Sequence, residues 1–445
     1  MPAVLLEALI GMGLLLALVF IWNPSPSSWF SLYMGSVLIL PPIYSELWGG
    51  EIPLFVSHLV FLGGAASFLF GSQRFRFRPD PVGHCSLWFL FSLAFSLPFA
   101  FWLSGPQQGT ASVLKYLLLL QPFLLYFWLR GLPWIHSQDP FRYLLRAILI
   151  FGTISALYGI VDFMYPIPIP HPFADQYIYL FGQSVRRAQG VFYEASSFGN
   201  LCAFFWSLCL VTLSSSAWKV LKFSRIWLGL LVGIFTVALF LSYSRGSWVN
   251  ALLTVAIFFF LQRGFKFRLP ILAILLSGIF LVSLYLWYPE LVTNFFEKRL
   301  GGLLEFWKYP DAATSGRWET WRSLFGYFAG HPGLLLFGVG YKSIASTDLF
   351  RTNLIADNGY LSLLFETGIL GLSSWFVLLM TLLRQLLDVR YRGSPIRSLY
   401  ASFLFAFWCG QMVQMLTGDI LTYWRNLVVY FSMAAVLIEP WNSEP

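Results

Sequence analysis

The chain has 445 residues, of which 58% are hydrophobic, 19% aromatic and only 11% charged, and its mean hydropathy is +0.70. That composition excludes an ordinary soluble domain and specifies a polytopic membrane protein. A net charge of +8 would point to nucleic acid in a soluble protein. Here most Arg and Lys lie in short connectors between apolar runs, so topology accounts for them and no nucleic-acid partner is expected.

Taken in chain order, runs long enough to cross the hydrocarbon core as helices fall near 3–22, 30–47, 52–71, 85–103, 111–130, 143–163, 191–213, 226–243, 247–262, 269–288, 358–383, 398–416 and 421–438. The first has no basic flank and no small-residue cleavage site, and reads as a retained helix. The fold class expected is therefore an all-α polytopic membrane protein of about 12–14 transmembrane helices. It divides into an N-terminal bundle (1–288), a large loop (289–356) with short helices and C-terminal helices (357–445), all in one integrated domain.

Basic connectors recur after every second span: Arg74, Arg76 and Arg78; Arg130, Arg142 and Arg146; Lys219, Lys222 and Arg225; Arg263, Lys266 and Arg268; and Arg384, Arg390, Arg392 and Arg397. The positive-inside rule makes these cytoplasmic and places the loops 164–190 and 289–356 on the opposite, extracytoplasmic side. No phosphate-cradling glycine motif interrupts the short cytoplasmic loops, and no matched pair of broken helices announces a transporter. The cysteines Cys85, Cys202, Cys209 and Cys409 offer neither metal spacing nor a disulfide framework.

A charge in a spanning helix costs roughly 2.5–3.5 kcal/mol on insertion scales, so each one needs a partner, water or a role. In RRAQGVFYEASSFGN (186–200), Arg186 and Arg187 end the first long loop and Glu194 follows about one helical turn inside the next span; an Arg to Glu anchor competes with a role in binding or catalysis. In SYSRGSW (242–248), Arg245 faces the side without positive-inside pull, and interfacial snorkelling is its ordinary explanation. SGRWETW (315–321) opens an amphipathic segment with Trp318, Trp321, Phe325 and Phe328 at helical spacing. Its first residue, Arg317, is either an exposed first-turn side chain or a phosphate ligand. His331, beside Pro332 and Gly333, reads first as part of a compact turn, with catalysis as the alternative.

In ADNGY (356–360), Asp or Asn before an apolar helix is first of all a cap for unpaired backbone N–H groups, which explains one of Asp357 and Asn358 but not both. Glu366, deeper in the same span, needs its own partner. Guanidiniums gathered at one membrane face suit a diphosphate, because each is planar, always charged and able to form paired hydrogen bonds. The implied ligand is a lipid pyrophosphate carrying a sugar, for which transfer requires a stabilised leaving group and a base for the acceptor hydroxyl. No divalent-metal constellation is evident, so neither a metal nor another cofactor is expected.

The elements Ser244-Arg245-Gly246, Ser315-Gly316-Arg317 with Trp318, His331-Pro332 through Gly340, and Asp357-Asn358-Gly359-Tyr360-Leu361 through Glu366, Gly368 and Gly371 stand in an order that resembles the bacterial O-antigen ligase and O-antigen polymerase superfamily. The likeness runs over about residues 31–438 and leaves the first helix as an addition that would put the N-terminus outside. It implies metal-independent, inverting glycosyl transfer from a polyprenyl diphosphate at the periplasmic face of the inner membrane. It also implies Arg187, Arg245, Arg317 and Arg186 at the diphosphate, and Asn358, Tyr360 and Tyr193 at the glycan or holding the base. Ligases of the family begin the last motif with His-Asn and use that His as base; Asp357 stands there in this chain. The departure favours a polymerase of O-antigen, capsule or exopolysaccharide, with Asp357, then Glu194, then His331 as base. The alternatives are an O-antigen ligase and, from another class, a flippase or exporter of the same lipid. Membrane lipid and a chain-length regulator are the other partners that the resemblance implies.

Overall fold

The computed structural model describes residues 25–41, 43–44, 53–70, 78, 80–132, 140–165, 176–180, 183–192, 194–262, 317–344 and 356–438. The spans expected at 3–22 and 269–288, residues 289–316 of the large loop and Tyr193 lie outside these residues. In chain order the helices are α1 (Pro26–Leu38), α2 (Val56–Phe70), α3 (Pro81–Gly131), α4 (Pro140–Met164), α5 (Ala195–Ser214), α6 (Ala217–Val220), α7 (Arg225–Leu241), α8 (Arg245–Leu261), α9 (Arg317–Ala329), α10 (Pro332–Phe337), α11 (Gly359–Arg392), α12 (Pro395–Gln414) and α13 (Trp424–Ile438). Two short hairpins, β1 (Ile43–Tyr44) with β2 (Pro53–Leu54) and β3 (Tyr177–Leu180) with β4 (Gln183–Arg186), are the described strands. The architecture is an all-α polytopic membrane protein, and α3, α4, α5 and α11 are each long and apolar enough to span.

α3 resolves into two spans. A straight helix of its 51 residues would measure about 75 Å, more than twice the hydrocarbon thickness. Gly105 breaks it with left-handed backbone (φ 82°, ψ 170°), followed by Pro106, and the chain folds back. Asp80, which caps the first turn through Gly83 N at 3.0 Å, consequently meets Arg130 in the last turn at 2.6 Å. The spans expected at 85–103 and 111–130 are the two arms of this hairpin. The run 30–47 departs from expectation: its helix starts earlier and stops at Leu38, and Ile43–Tyr44 then pairs with Pro53–Leu54. Apolar composition alone cannot separate a helix from a short extended stretch.

The core is built by α13, every residue of which is buried, and by α5, almost as fully enclosed. A helix apolar on all sides belongs at the centre of a bundle. Phe204 of α5 packs on Phe403 and Phe407 of α12 and on Tyr430 of α13, while Phe123 of α3 meets Phe431. The most extensive helix packing joins α8 to α12, α5 to α7, and α3 to both α11 and α13, so N-terminal and C-terminal parts of the chain interleave. Outer positions such as Ile226, Leu252 and Phe260 remain exposed, as lipid-facing residues should.

Polar side chains tie the centre together. Gln414 accepts from Asn200 at 2.8 Å and from Asn250 at 3.1 Å, and donates to Ser247 at 3.2 Å. Asn426 donates to Asn200 at 3.0 Å, and the Tyr430 hydroxyl donates to the same oxygen at 2.6 Å. Interhelical hydrogen bonds of this kind are worth on average about 0.6 kcal/mol each in a membrane. Here they fix α5, α8, α12 and α13 directly beneath the turns that carry the charged residues described next.

Candidate active site

One end of the bundle collects the mouth of α5, the α7 to α8 turn, the loop after α10, the start of α11 and the turn between α12 and α13. The loop before α5 is docked by its own backbone: Arg187 N donates to Gln176 O at 2.8 Å, and Ala188 N to Leu241 O at 2.9 Å. Gln176 then accepts from Ala195 N at 3.0 Å and so caps α5 from outside. Glu194 occupies the cap position itself, but its carboxylate makes no capping bond. The sequence reading placed Glu194 one turn inside the span; it lies just before the helix, at its mouth.

Glu194 is surrounded by charge. Withdrawal from water, then the negative fields of Asp419 and Asp357, push its carboxyl up to about 7, against the opposing pull of Lys342 and Arg187. Arg187 donates from Nε to Ser242 O at 2.9 Å and from Nη2 to Ser196 Oγ at 3.4 Å, which joins the α5 mouth to the α7 to α8 turn. Arg245 opens α8 in that turn. Arg186 points elsewhere: its Nη2 lies 3.1 Å from both oxygens of Asp162, whose side chain is almost fully enclosed near the end of α4. That pair, with Nη1 donating to the Asp162 backbone carbonyl, anchors the β3 to β4 hairpin to the bundle.

The start of α11 separates its two polar residues cleanly. Asn358 is the cap, accepting from Tyr360 N and Leu361 N at 3.1 Å each and donating to Leu416 O at 3.2 Å. Asp357 has left-handed backbone (φ 44°), which Asp tolerates better than most residues, and turns its half-exposed carboxylate outward to Arg317 Nε at 3.0 Å. Trp321 donates to Ala356 O at 2.6 Å, so the first turn of α9 is held against the same strand of chain. Tyr360 donates to Met412 O at 2.8 Å and stacks on Phe376. His331 is exposed, has its Nδ1 2.9 Å from Tyr327 O and stacks on the Tyr327 ring; it sits at the start of α10, a short helix where the sequence indicated only a turn.

Two residues that the sequence reading did not single out complete the cluster. Lys342 forms ion pairs with Asp419 and, at 3.7 Å, with Glu366, the partner that Glu366 required. Burial alone would depress the Lys342 ammonium; the Asp419 and Glu366 carboxylates overcome it and hold it well above its ordinary range. The loop is placed by close backbone contact. α11 breaks at Gly368 (φ 70°), and Val339 N and Gly340 N donate to the carbonyls of Phe365 and Glu366 at 3.0 and 2.9 Å. A Cβ on Gly338 would lie 2.2 Å from Glu366 O. The signals available in the sequence were Gly338 and Gly340 just before a lysine, and an aspartate in the short turn between two spans.

The arrangement presents cations from separate elements beside carboxylates, one of which is poised near neutrality. It can hold a polyanion and exchange a proton next to it. Among the described residues no group of His, Cys, Asp and Glu could hold a metal ion.

These features define a multi-pass membrane protein with a charged site at one end of its bundle. Residues 228–376, a segment shorter than half of the chain, match the family model Wzy_C, described as O-Antigen ligase, which supports a relationship to the O-antigen ligase and polymerase superfamily. Members of the family are glycosyltransferase-like enzymes, and the family implies a lipid-linked glycan substrate. No curated protein matches the chain. The matched segment holds Arg245, Arg317, His331, Lys342, Asp357 and Glu366, whereas Arg187, Glu194 and Asp419 come from outside it.

Proposed function

We propose that the protein is a polymerase that joins polyprenyl-diphosphate-linked oligosaccharide repeat units of O-antigen, capsule or exopolysaccharide at the periplasmic face of the inner membrane. The observation that carries this reading is the Arg317 to Asp357 ion pair at 3.0 Å, which unites two motifs 40 residues apart at the mouth where Arg187 and Glu194 also lie. The donor diphosphate binds Arg187, Arg245 and Arg317, with Arg317 exchanging the Asp357 carboxylate for phosphate oxygens. The acceptor hydroxyl oxygen attacks the anomeric carbon, the bond from that carbon to the phosphate oxygen breaks, and the electron pair leaves on the diphosphate. The arginines neutralise the charge that develops there. Glu194, with a proton affinity near the working pH, is the base that takes the hydroxyl proton, ahead of Asp357. Asn358 and Tyr360 act by holding the Asp357 turn, and Arg186 by anchoring its hairpin.

Incubating the purified protein with lipid-linked repeat unit alone and resolving products by length tests the reading. A ladder is expected. Transfer only after an acceptor such as lipid A core is added would instead support an O-antigen ligase, the reading favoured by the description of the matched family. Binding of the lipid with no transfer to any acceptor would leave a flippase or exporter and sink the enzyme.

A further inference from the structure

Lys342 lies in a stretch to which neither the motifs nor the proposed chemistry gives a role, yet polar contacts from separate helices converge on it. Its backbone is left-handed (φ 58°), a conformation that is strained for a non-glycine residue and persists only where surroundings dictate it. The surroundings are specific. Lys115 Nζ of α3 donates to its carbonyl at 3.1 Å, and its ammonium contacts both Glu366 of α11 and Asp419 while lying over the Tyr341 ring. Asp419 in turn caps the turn before α13 through Leu421 N at 3.0 Å. The start of α13, just after the Asp419 turn, holds the first turn of α5, since Asn426 Nδ2 donates to Ser197 O at 2.8 Å three residues after Glu194, and the charges of Asp419, Asp357, Lys342 and Arg187 act on the Glu194 carboxyl there.

We propose that Lys342 is a positioning residue for glycosyl transfer: its buried ammonium locks the Asp419 turn to the broken α11, and so sets the place and the electrostatic surroundings of Glu194. The proposal rests on the polymerase reading for its effect on rate, but its geometric content does not. If Lys342 goes, Asp419 keeps its negative charge beside Glu194 without the cation that balances it.

The test follows the infrared band of the protonated Glu194 carboxyl, identified by its loss in Glu194→Gln, as pH is raised in the full-length protein in lipid nanodiscs. In Lys342→Met the band should persist to higher pH than in the wild type, and in Lys342→Arg it should keep the wild-type midpoint. Should Lys342→Met not accumulate in membranes, Lys342→Met with Glu366→Gln replaces it, since that pair removes the carboxylate left unpaired while still depriving Asp419 of its partner. An unchanged or lower midpoint in the folded variant overturns the proposal. In the ladder assay Lys342→Met should lose about a hundredfold in kcat with little change in donor KM, the scale of a small misplacement of reacting groups, and Lys342→Arg should recover part of it. Wild-type kcat in Lys342→Met would also overturn it. If the wild-type protein itself transfers no glycan, the polymerase reading falls while the infrared titration still decides the role of Lys342.

Discussion

Two clusters of charge stand at opposite ends of the α3 hairpin, one where its termini meet and one toward its fold-back, and they are built differently. At one end Asp80 receives Gly83 N, the Tyr126 hydroxyl at 2.6 Å and Arg130, with both charged side chains less than a tenth exposed. At the other end, Ser96 and Ser112 of the same hairpin touch the backbone of Tyr341, next to Lys342 and its carboxylates. Among the described residues the first cluster is closed, with few members, all drawn from one hairpin. The second draws on several separate elements and turns part of its charge outward, since the side chains of Arg317 and Asp357 are 27% and 49% exposed. A buried pair of this kind, enclosed at the foot of one hairpin, is a staple. A many-membered cluster left partly open is prepared for a ligand that brings charge of its own.

Substitutions can break that comparison. The largest effect is expected at the open cluster, where Arg245→Ala and Arg317→Ala should each cut ladder formation by about 10²–10³-fold while leaving the amount of membrane protein unchanged. Normal elongation by either would remove that arginine from the diphosphate. Glu194→Gln should lose about 10²-fold or more. In the wild type the rate should rise as pH climbs through about 7, because a base works only when ionised and the Glu194 carboxyl holds its proton below that value. A rate that falls over the same range would make Glu194 an acid instead.

Asp357→Asn and Asp357→Gly both suit left-handed backbone, and Asn358 keeps the cap in each. Equal loss of activity from the two would assign the effect to the carboxylate and its hold on Arg317; full activity in Asp357→Asn would leave only a conformational role. At the closed cluster, Asp80→Ala strands a buried arginine and should cost about 3–5 kcal/mol of stability, seen as a lower unfolding temperature, while the molecules that fold keep their turnover. The smallest effect belongs to Asn358→Ala, about 1 kcal/mol from the lost cap, in the same thermal assay.

Much of the bundle was legible because hydrophobic length and basic connectors are local properties: the run 143–163 is α4, and 226–243 and 247–262 are α7 and α8 within a residue or two. The arginines were legible for a related reason, since a charge in an apolar chain is conspicuous wherever it sits. Their partners were not. Asp162, inside the span 143–163, is the counterion of Arg186, and nothing in a linear pattern distinguishes an arginine satisfied by a distant aspartate from one that faces a ligand. Nor could spacing tell which of Asp357 and Asn358 caps α11, because both side chains can accept the same N–H groups; the backbone angle of Asp357 separates them.

The sequence by itself determined that this chain lives in a bilayer, roughly where it crosses, and which motifs carry charge, because transfer of side chains into hydrocarbon is paid for residue by residue. Tertiary structure decided how those charges combine. The fold-back at Gly105 and the break at Gly368 bring Lys342 between Glu366 and Asp419, and the docking of Gln176 on α5 removes Glu194 from capping duty. Electrostatic partnership depends on distance in space and on exclusion of water, and neither quantity is written along the chain.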